Sequence, residues 1–240
     1  MIALHNVTKT VGRGDRQLLV LDDINWDIPD MSKIAVLGHR GSGKTTLLEL
    51  ISGAQPPTRG WVQRRAVISA KPGLTRHATK LTTPRTLISH LSILYRADPQ
   101  ELARFVEEFG DLHDVMDVAI SRLTGLIRQR IDLSLFYGLP CDFYLFDNKV
   151  HLGAIDLRDR AQAVFQQRRE QAGMILFTSV PRQARDFGGT GALLHRGKVF
   201  IFEQLEDAIS AYEHLPPDDP TIPGAPQLNS PSPIANDVEP

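Results

Sequence analysis

The sequence predicts an α/β fold with an antiparallel β region at its start and a helical region in its middle. Residues 34–37 are apolar, and a glycine-rich turn and a helical pattern that stops at Gly53 come after them. This is the order strand, turn, helix. Residues 84–139 have mostly helical spacing. Short apolar runs typical of buried strands come later, at residues 143–146, 174–177 and 192–194.

Length and composition limit the functional classes. A chain of 240 residues with 42% hydrophobic residues suits one domain with a sizeable core. The formal net charge of −1 gives no basic footprint, so nucleic acid is not an expected partner. The single cysteine, Cys141, allows no internal disulfide, which suits a reducing compartment, and we expect it to pack as a small apolar side chain. We find neither a signal-peptide pattern in residues 1–10 nor an apolar run of about eighteen residues that could span a membrane.

The β region is predicted from alternating apolar residues and turn signals. We expect a turn at residues 12–15 and another, rich in proline, at residues 56–60. Residues 2–28 are predicted to form a hairpin-like β region, and a further strand follows the proline-rich turn. The predicted strands are residues 2–7, 18–21, 24–28 and 61–68.

The helical region begins where Thr83 precedes Pro84, a capping residue followed by a proline in the first helical position. After the later strands, a hairpin at residues 195–198 should lead into strand 199–202 and an amphipathic helix at 205–212. An apolar stripe predicts the buried face of the first helix of the region, at Leu87, Ile88, Leu91 and Leu94.

The domain is predicted to cover residues 1–215, with a helical subdomain at about 84–139. From Pro216 onward the chain carries half of its 16 prolines and few apolar residues. This composition predicts a disordered tail over residues 216–240.

The glycine-rich turn reads GHRGSGKTT and fits the pattern G-x-x-x-x-G-K-[ST]. Glycines allow several backbone N–H groups to point into one concavity at a helix N-terminus, where a phosphate is favoured. Lys44 supplies a positive charge for the outer phosphates, and the Thr45 hydroxyl is placed to bind Mg²⁺. His39 and Arg40 occupy variable positions and are expected to face solvent or a partner. The predicted nucleotide-binding residues of this phosphate loop are Gly38, His39, Arg40, Gly41, Ser42, Gly43, Lys44, Thr45 and Thr46.

A second motif indicates which nucleotide-binding family the chain resembles. Residues 123–130 read LTGLIRQR, and Asp147 lies 22 positions after Gly125. This resembles the signature of ATP-binding-cassette (ABC) ATPases, L-S-G-G-Q-x-x-R, which opens a helix at that spacing before the second acidic motif. In that family, the signature of one subunit closes over ATP held by the other subunit. The resemblance implies an ABC ATPase fold of the P-loop type and makes Thr124 and Gly125 candidate nucleotide contacts.

Longer stretches resemble the ATPase subunits of capsular and O-antigen polysaccharide exporters over about residues 2–214. They include LHNVTKTV near the start, CDFYLFDNKVHLG, and ALLHRGKVFIFEQLEDAISAYEHL near the end. The resemblance implies ATP and Mg²⁺ as cofactors, with Thr45 and Asp147 as metal-binding residues. It also implies a peripheral subunit on the cytoplasmic side of the bacterial inner membrane. Its partners would be a membrane-spanning permease and a second ATPase subunit.

The sequence departs from the family pattern around the catalytic centre. The general-base glutamate is replaced by Asn148, and an amide cannot accept a proton from the attacking water. The histidine that contacts the γ-phosphate is replaced by Ser179. The remaining departures are Val11 for the adenine-stacking aromatic, residues 70–72 for the sensor glutamine, Leu126 and Ile127 in the signature, and Ala154 for an aspartate.

Because the phosphate loop is intact and the catalytic positions are altered, we expect Mg-nucleotide binding with slow or absent hydrolysis by the chain alone. No residue is assigned a catalytic role. Two interpretations remain open: an exporter subunit in a permease complex, or a regulatory or structural nucleotide-binding protein derived from one. The sequence leaves homodimer and heterodimer equally open.

Residues 50–97 contain no aspartate or glutamate. One interpretation is a solvated basic face. The other, which the resemblance implies, is a surface that docks on the permease and the adjoining anionic leaflet. The basic residues of this segment are Arg59, Arg64, Arg65, Lys71, Arg76, Lys80, Arg85 and Arg96.

Overall fold

The fold consists of two β-sheets and a set of helices, seen in a computed structural model that describes residues 1–12, 17–69, 73–148 and 157–216. The expected tail, apart from Pro216, lies outside the described residues, as do residues 13–16, 70–72 and Ala154. The strands are β1 (Ile2–Val11), β2 (Leu18–Ile28), β3 (Lys33–Leu37), β4 (Arg59–Arg64), β5 (Phe143–Asp147), β6 (Gly173–Thr178), β7 (Thr190–His195) and β8 (Lys198–Phe202).

Seven α-helices lie within the described residues, together with short 3-10 helices at Leu74–His77, His113–Val115 and Ile120–Arg122. None of the helices in this part of the chain combines the length and apolar character needed to cross a bilayer. The α-helices are α1 (Lys44–Ser52), α2 (Pro84–Tyr95), α3 (Pro99–Gly110), α4 (Gly125–Gly138), α5 (Arg158–Gln171), α6 (Pro181–Phe187) and α7 (Leu205–His214).

The smaller sheet is antiparallel, with the order β2-β1-β4. It confirms the predicted β region, but residues 18–28 form one continuous strand where the sequence predicted two. The strand predicted at residues 61–68 is also displaced. β4 ends at Arg64, and Ile68 makes only an isolated bridge with Phe143.

The larger sheet has the order β5-β6-β3-β7-β8. All neighbours in it are parallel except β7 and β8, which form the predicted hairpin. Because parallel strands end at the same edge, the segments after β3, β5 and β6 meet there. This edge carries the candidate site.

Successive side chains of β3 point to opposite faces of the larger sheet, and each face packs against a separate core. Ala35 and Leu37 face a core shared with α2 to α7, whereas Ile34 and Val36 face a core shared with the smaller sheet and α1. A strand that is covered on both faces has a continuous run of apolar residues, and this run is why β3 could be predicted from the sequence. Cys141 lies in the first core, and burial raises the pKa of its thiol to about 12.

The helical region is confirmed as three α-helices with side-chain caps at their N-termini. Thr83 accepts a hydrogen bond from the Thr86 N–H, and Asp98 caps α3 in the same way. The predicted apolar stripe of α2 is only partly buried. Ile88 and Leu91 are in the core, but Leu94 is 73% exposed.

Candidate nucleotide site

The phosphate loop joins β3 to α1, as the sequence predicted, and its glycines satisfy two separate needs. Gly43, the N-cap of α1, has a φ of 99°, and a Cβ there would lie 2.9 Å from Val20 Cγ1. A Cβ on Gly38 would lie 2.5 Å from Ser42 Oγ. The tight turn and the close packing on β2 therefore both require residues without a side chain.

Lys44 is buried in this loop, with 7% of its surface exposed. Its Nζ donates hydrogen bonds to the carbonyl oxygens of Gly38 and His39, both at 2.7 Å. The first turn of α1 contains no acidic residue, so no carboxylate in that turn opposes an anion. The ammonium group is thus held beside the orphan N–H groups at the start of α1.

Ser42 adds a buried hydroxyl to the loop. Its Oγ is inaccessible to solvent and has no hydrogen-bond partner within the described residues. A buried polar atom without a partner is costly, and a phosphate oxygen would satisfy it. The residues of the loop therefore fit a phosphate group.

Thr45 and Asp147 are brought together from positions 102 residues apart. The Thr45 hydroxyl lies 3.4 Å from Asp147 Oδ2 at the end of β5. A hydroxyl and a carboxylate are oxygen ligands of the kind that Mg²⁺ prefers. The described residues contain no group of three or more His, Cys, Asp or Glu that could hold a metal ion. These two oxygens would therefore share the ion with water and phosphate oxygens.

Asn148, at the general-base position, adopts a left-handed backbone conformation with a φ of 67°. Its N–H donates to the Phe177 carbonyl at 2.6 Å, and its Nδ2 donates to Asp147 Oδ1 at 3.0 Å. Asparagine tolerates this conformation better than most residues. The side chain therefore supports the Asp147 carboxylate and offers no group that could deprotonate a water.

Ser179, at the γ-phosphate position, comes directly after β6 and is partly buried. Its carbonyl oxygen accepts a hydrogen bond from the Tyr212 hydroxyl at 2.9 Å. The preceding residue, Thr178, accepts from the Gly38 N–H at 3.2 Å through its carbonyl oxygen. This backbone connection places the end of β6 directly beside the phosphate loop.

His39 differs from its neighbour Arg40 in its surroundings. Arg40 is exposed, as expected, but His39 is partly buried. Its ring centroid lies 4.6 Å from that of Tyr212, and its Nε2 lies 3.3 Å from the Leu215 carbonyl oxygen. The expectation that His39 faces solvent or a partner missed these contacts, because no sequence pattern links residues so far apart.

Thr124 and Gly125 begin α4, as the signature resemblance implied. Thr124 Oγ1 accepts a hydrogen bond from the Ile127 N–H at 3.3 Å. Leu126 is 49% exposed, although leucine is usually buried. Within the described residues, no hydrogen bond or ion pair joins Thr124 or Gly125 to the phosphate loop.

Val11, at the adenine-stacking position, ends β1 and pairs with Leu18 on β2. Val11 is 39% exposed and Leu18 is 45% exposed. Paired residues of adjacent strands share a face of the sheet. This end of the sheet therefore presents an aliphatic surface where the family has an aromatic ring.

Comparison with known proteins finds ATP-binding proteins that are similar over most of the chain. ATP-binding protein BexA of Haemophilus influenzae is 26% identical over 212 residues, which cover 88% of this chain and 98% of BexA. Capsule polysaccharide export ATP-binding protein CtrD of Neisseria meningitidis serogroup B is 26% identical over 216 residues, covering 90% of this chain and 100% of CtrD. Polysialic acid transport ATP-binding protein KpsT of Escherichia coli is 24% identical over 216 residues, covering 89% of this chain and 96% of KpsT.

Solved structures share the fold. The ATP-binding cassette MJ0796, in a dimeric structure bound to ADP and Pi, has a TM-score of 0.68 and 20% identity, with 85% of this chain and 99% of that chain covered. The ATP-binding subunit of an ABC transporter also gives 0.68, at 19% identity, with 89% and 93% covered. The family described as ABC transporter matches residues 21–150, which is more than half of the sequence. The chain belongs to the ABC transporter family.

Proposed function

We propose that this chain is the nucleotide-binding subunit of a bacterial polysaccharide export ABC transporter. In this proposal, residues 38–46 bind Mg-ATP, and the chain alone hydrolyses it slowly or not at all. The observation that carries the proposal is the contrast at one edge of the larger sheet. Thr45, next to Lys44 in the chain, lies 3.4 Å from Asp147, and these groups suit a phosphate and a metal ion, while the residue after Asp147 is Asn148.

The binding half of the proposal rests on the chain's own groups. The orphan N–H groups of α1, the Lys44 ammonium and the Ser42 hydroxyl would bind the phosphates. Thr45 and Asp147 would hold Mg²⁺, which supplies charge neutralisation between the phosphates when it is bound. Neither task requires the residues that the sequence has lost.

The hydrolysis half rests on Asn148 and Ser179. General-base catalysis contributes about 10²- to 10⁴-fold to a reaction rate, and the Asn148 amide cannot provide it. A serine at position 179 is shorter than a histidine and provides no imidazole for the γ-phosphate. Slow turnover is the expected consequence.

The role in polysaccharide export is supported by the relatives. CtrD is named as a capsule polysaccharide export protein and KpsT as a polysialic acid transport protein, and each is covered almost completely. An exporter subunit of this kind would lie peripherally on the cytoplasmic side of the bacterial inner membrane. It would work with a membrane-spanning permease and a second ATPase subunit.

A groove beside α2 is the surface that we assign to the permease. It has a volume of about 510 Å³ and is lined by His90, by threonines and by apolar residues that include Leu74, Ala78 and Leu87. Leu81 on its rim is 86% exposed, and Ile93 and Leu94 on α2 are 80% and 73% exposed. Large apolar side chains grouped on a surface are typical of an interaction site, and a cytoplasmic helix of the permease would cover them.

Residues 50–97, which contain no aspartate or glutamate, contribute less positive charge to the groove surface than the sequence suggested. Arg85 pairs with Asp117 at 2.8 Å and lies 3.6 Å from Glu107. Arg64 donates to the Ile51 carbonyl oxygen at 2.8 Å, at the end of α1. Arg76 and Lys80 are exposed beside the groove, so they are our candidates for contact with anionic headgroups. Lys71 lies outside the described residues.

The catalytic losses favour a second candidate function, a regulatory or structural protein that kept the nucleotide site and lost turnover. Steady-state ATPase measurement of the chain reconstituted with its permease in vesicles separates the two. An exporter subunit should show hydrolysis stimulated by permease, from this chain or from an intact second ATPase subunit paired with it. The second candidate would be supported if the chain binds nucleotide but changes neither hydrolysis nor export, whether it is tested with the permease alone or together with a second ATPase subunit.

A further inference from the structure

Two segments of the chain contact one aromatic side chain, Tyr212, near the end of α7, and the residue after α7 contacts one of them. The phosphate loop contributes His39, whose ring lies against the Tyr212 ring at a centroid distance of 4.6 Å. The end of β6 contributes the Ser179 carbonyl oxygen, which accepts from the Tyr212 hydroxyl at 2.9 Å. The residue after α7, Leu215, places its carbonyl oxygen 3.3 Å from His39 Nε2.

The Tyr212 side chain of this cluster is buried, and His39, Ser179 and Leu215 are partly buried. Tyr212 is 8% exposed, and α7 packs against β7 through Ala208, which is fully buried. Since Leu215 contributes a carbonyl oxygen, the His39 ring must donate from Nε2 to make this hydrogen bond. The end of α7 thus holds the His39 side chain by a ring contact and by one directional bond.

The contacts that fix the position of His39 also affect the position of the Lys44 ammonium group. The His39 carbonyl oxygen accepts a hydrogen bond from the Lys44 ammonium, as does the Gly38 carbonyl oxygen beside it. A displacement of the His39 backbone would therefore move the charge that faces the phosphates. The contact between α7 and the loop is linked to the site through this short chain of groups.

We propose that Tyr212 is a positioning residue for the nucleotide site, and that it couples nucleotide binding to the docking of the end of α7. The inference rests on the proposed binding of Mg-ATP at residues 38–46. If docked α7 favours the binding conformation of the loop, bound nucleotide must favour docked α7 by the same factor. The coupling can therefore be measured either as a change in nucleotide affinity or as a change in the docking of α7.

The first measurement is the affinity for Mg-ATP by isothermal titration calorimetry. His39→Ala removes the ring contact and the hydrogen bond, so we expect binding to weaken by about three- to tenfold. His39→Gln keeps a side-chain N–H that reaches toward Leu215 and should recover part of the loss. Tyr212→Phe keeps the ring but loses the bond to Ser179 and should fall between wild type and His39→Ala. Ser210→Ala, an exposed position on α7, is the matched control and should bind like wild type.

The second measurement uses the unmodified protein, so it does not depend on how the variants fold. Hydrogen exchange of residues 205–216 should slow when saturating Mg-ATP is added, and the same segment of His39→Ala should respond less. Wild-type protein that binds Mg-ATP without this slowing, or His39→Ala with wild-type affinity, would overturn the coupling and leave the proposed function intact. Failure of the wild type to bind Mg-ATP at all would overturn both.

Discussion

At the scale of single residues, the site separates binding from turnover at the position after Asp147. Both oxygens of the Asp147 carboxylate have close protein neighbours, the Asn148 amide at 3.0 Å and the Thr45 hydroxyl at 3.4 Å. A glutamate at position 148 would place a second carboxylate beside that of Asp147, and the two negative charges would repel each other. The asparagine instead stabilises the carboxylate that we assign to the metal.

Restoring the glutamate should not restore normal turnover. Asn148→Glu removes the bond to Asp147, adds a like charge, and places a residue in a left-handed conformation that costs most residues roughly 1–2 kcal/mol. We expect lower thermal stability and steady-state ATPase activity that rises less than about tenfold, compared with 10²- to 10⁴-fold for a functional base. Asn148→Asp is the matched control, because aspartate tolerates the backbone conformation but adds the same charge. A gain of about 10² or more in Asn148→Glu would contradict this expectation.

Lys44 should carry much of the affinity for phosphate. Hydrogen bonds to charged groups contribute about 1.5–3 kcal/mol, so Lys44→Ala should weaken Mg-ATP binding by roughly ten- to a hundredfold. Titration calorimetry measures the effect, with Lys80→Ala as the control, since Lys80 is an exposed lysine outside the phosphate loop. Equal affinities of Lys44→Ala and wild type would mean that the nucleotide lies elsewhere.

The base of the nucleotide should add little selectivity, because Val11 and Leu18 offer an aliphatic surface without a hydrogen-bonding group. Aliphatic contact does not distinguish adenine from guanine, so ATP and GTP should bind with affinities within about threefold of each other. Competition between the two nucleotides for the wild-type protein tests this. A clear preference for adenine would contradict this expectation and would indicate a polar contact to the base.

At the scale of secondary structure, the elements that could be predicted from the sequence are those whose conformation is determined by one local pattern. The glycine turn with its flanking strand and helix was predictable because glycine spacing and apolar runs are local. The strands of the larger sheet were predictable because both of their faces are buried. The cap of α2 was predictable from Thr83, which precedes Pro84.

Features that depend on distant parts of the chain were not predictable in this way. The acid-free run of residues 50–97 suggested a basic surface, but the fold brings Asp117 to Arg85 from outside it. Leu94 matched a core stripe, yet the face of α2 that carries it is not covered. The contacts of His39 with Tyr212 and Leu215 join residues more than 170 positions apart.

One such long-range contact gives a prediction about pH. Asp132 on α4 accepts hydrogen bonds from the N–H and the hydroxyl of Thr75, at 2.9 and 2.7 Å, and so anchors the 3-10 helix at the groove. Burial raises the pKa of Asp132 above its ordinary value of 3.8, although the bonds from Thr75 oppose this. A folded-state pKa above the unfolded one means that the folded protein binds the proton more tightly. This contribution to stability is therefore lost as pH rises through the folded-state pKa.

The matching experiment compares wild type with Asp132→Asn by urea denaturation at several pH values. The difference in free energy of unfolding, wild type minus variant, should decrease as pH rises above 3.8. Asp132→Ala should be destabilised by about 1–3 kcal/mol, because it leaves the partner hydroxyl without an acceptor. A difference between wild type and Asp132→Asn that increases with pH would show that the ionised carboxylate is the favoured form.

At the scale of the whole molecule, pairing and docking depend on surfaces that one chain leaves exposed. In an ABC dimer, the signature of one subunit closes on the nucleotide of the other, and Leu126 adds an exposed side chain there. We expect weak ATP-dependent homodimerisation, and stronger association for Leu126→Gly, as measured by light scattering. Tight ATP-driven dimers of the wild type would contradict this view and would favour a symmetric assembly.

The central claim is that the chain binds Mg-ATP and by itself scarcely hydrolyses it. The most direct measurement mixes excess protein with labelled Mg-ATP, separates bound from free nucleotide, and tracks the identity of the bound nucleotide over time. We expect stoichiometric binding that Lys44→Ala lowers, with the label remaining ATP over the period in which an active ABC ATPase would complete many turnovers. Rapid conversion of the bound label to ADP would contradict the claim and would require a general base other than residue 148.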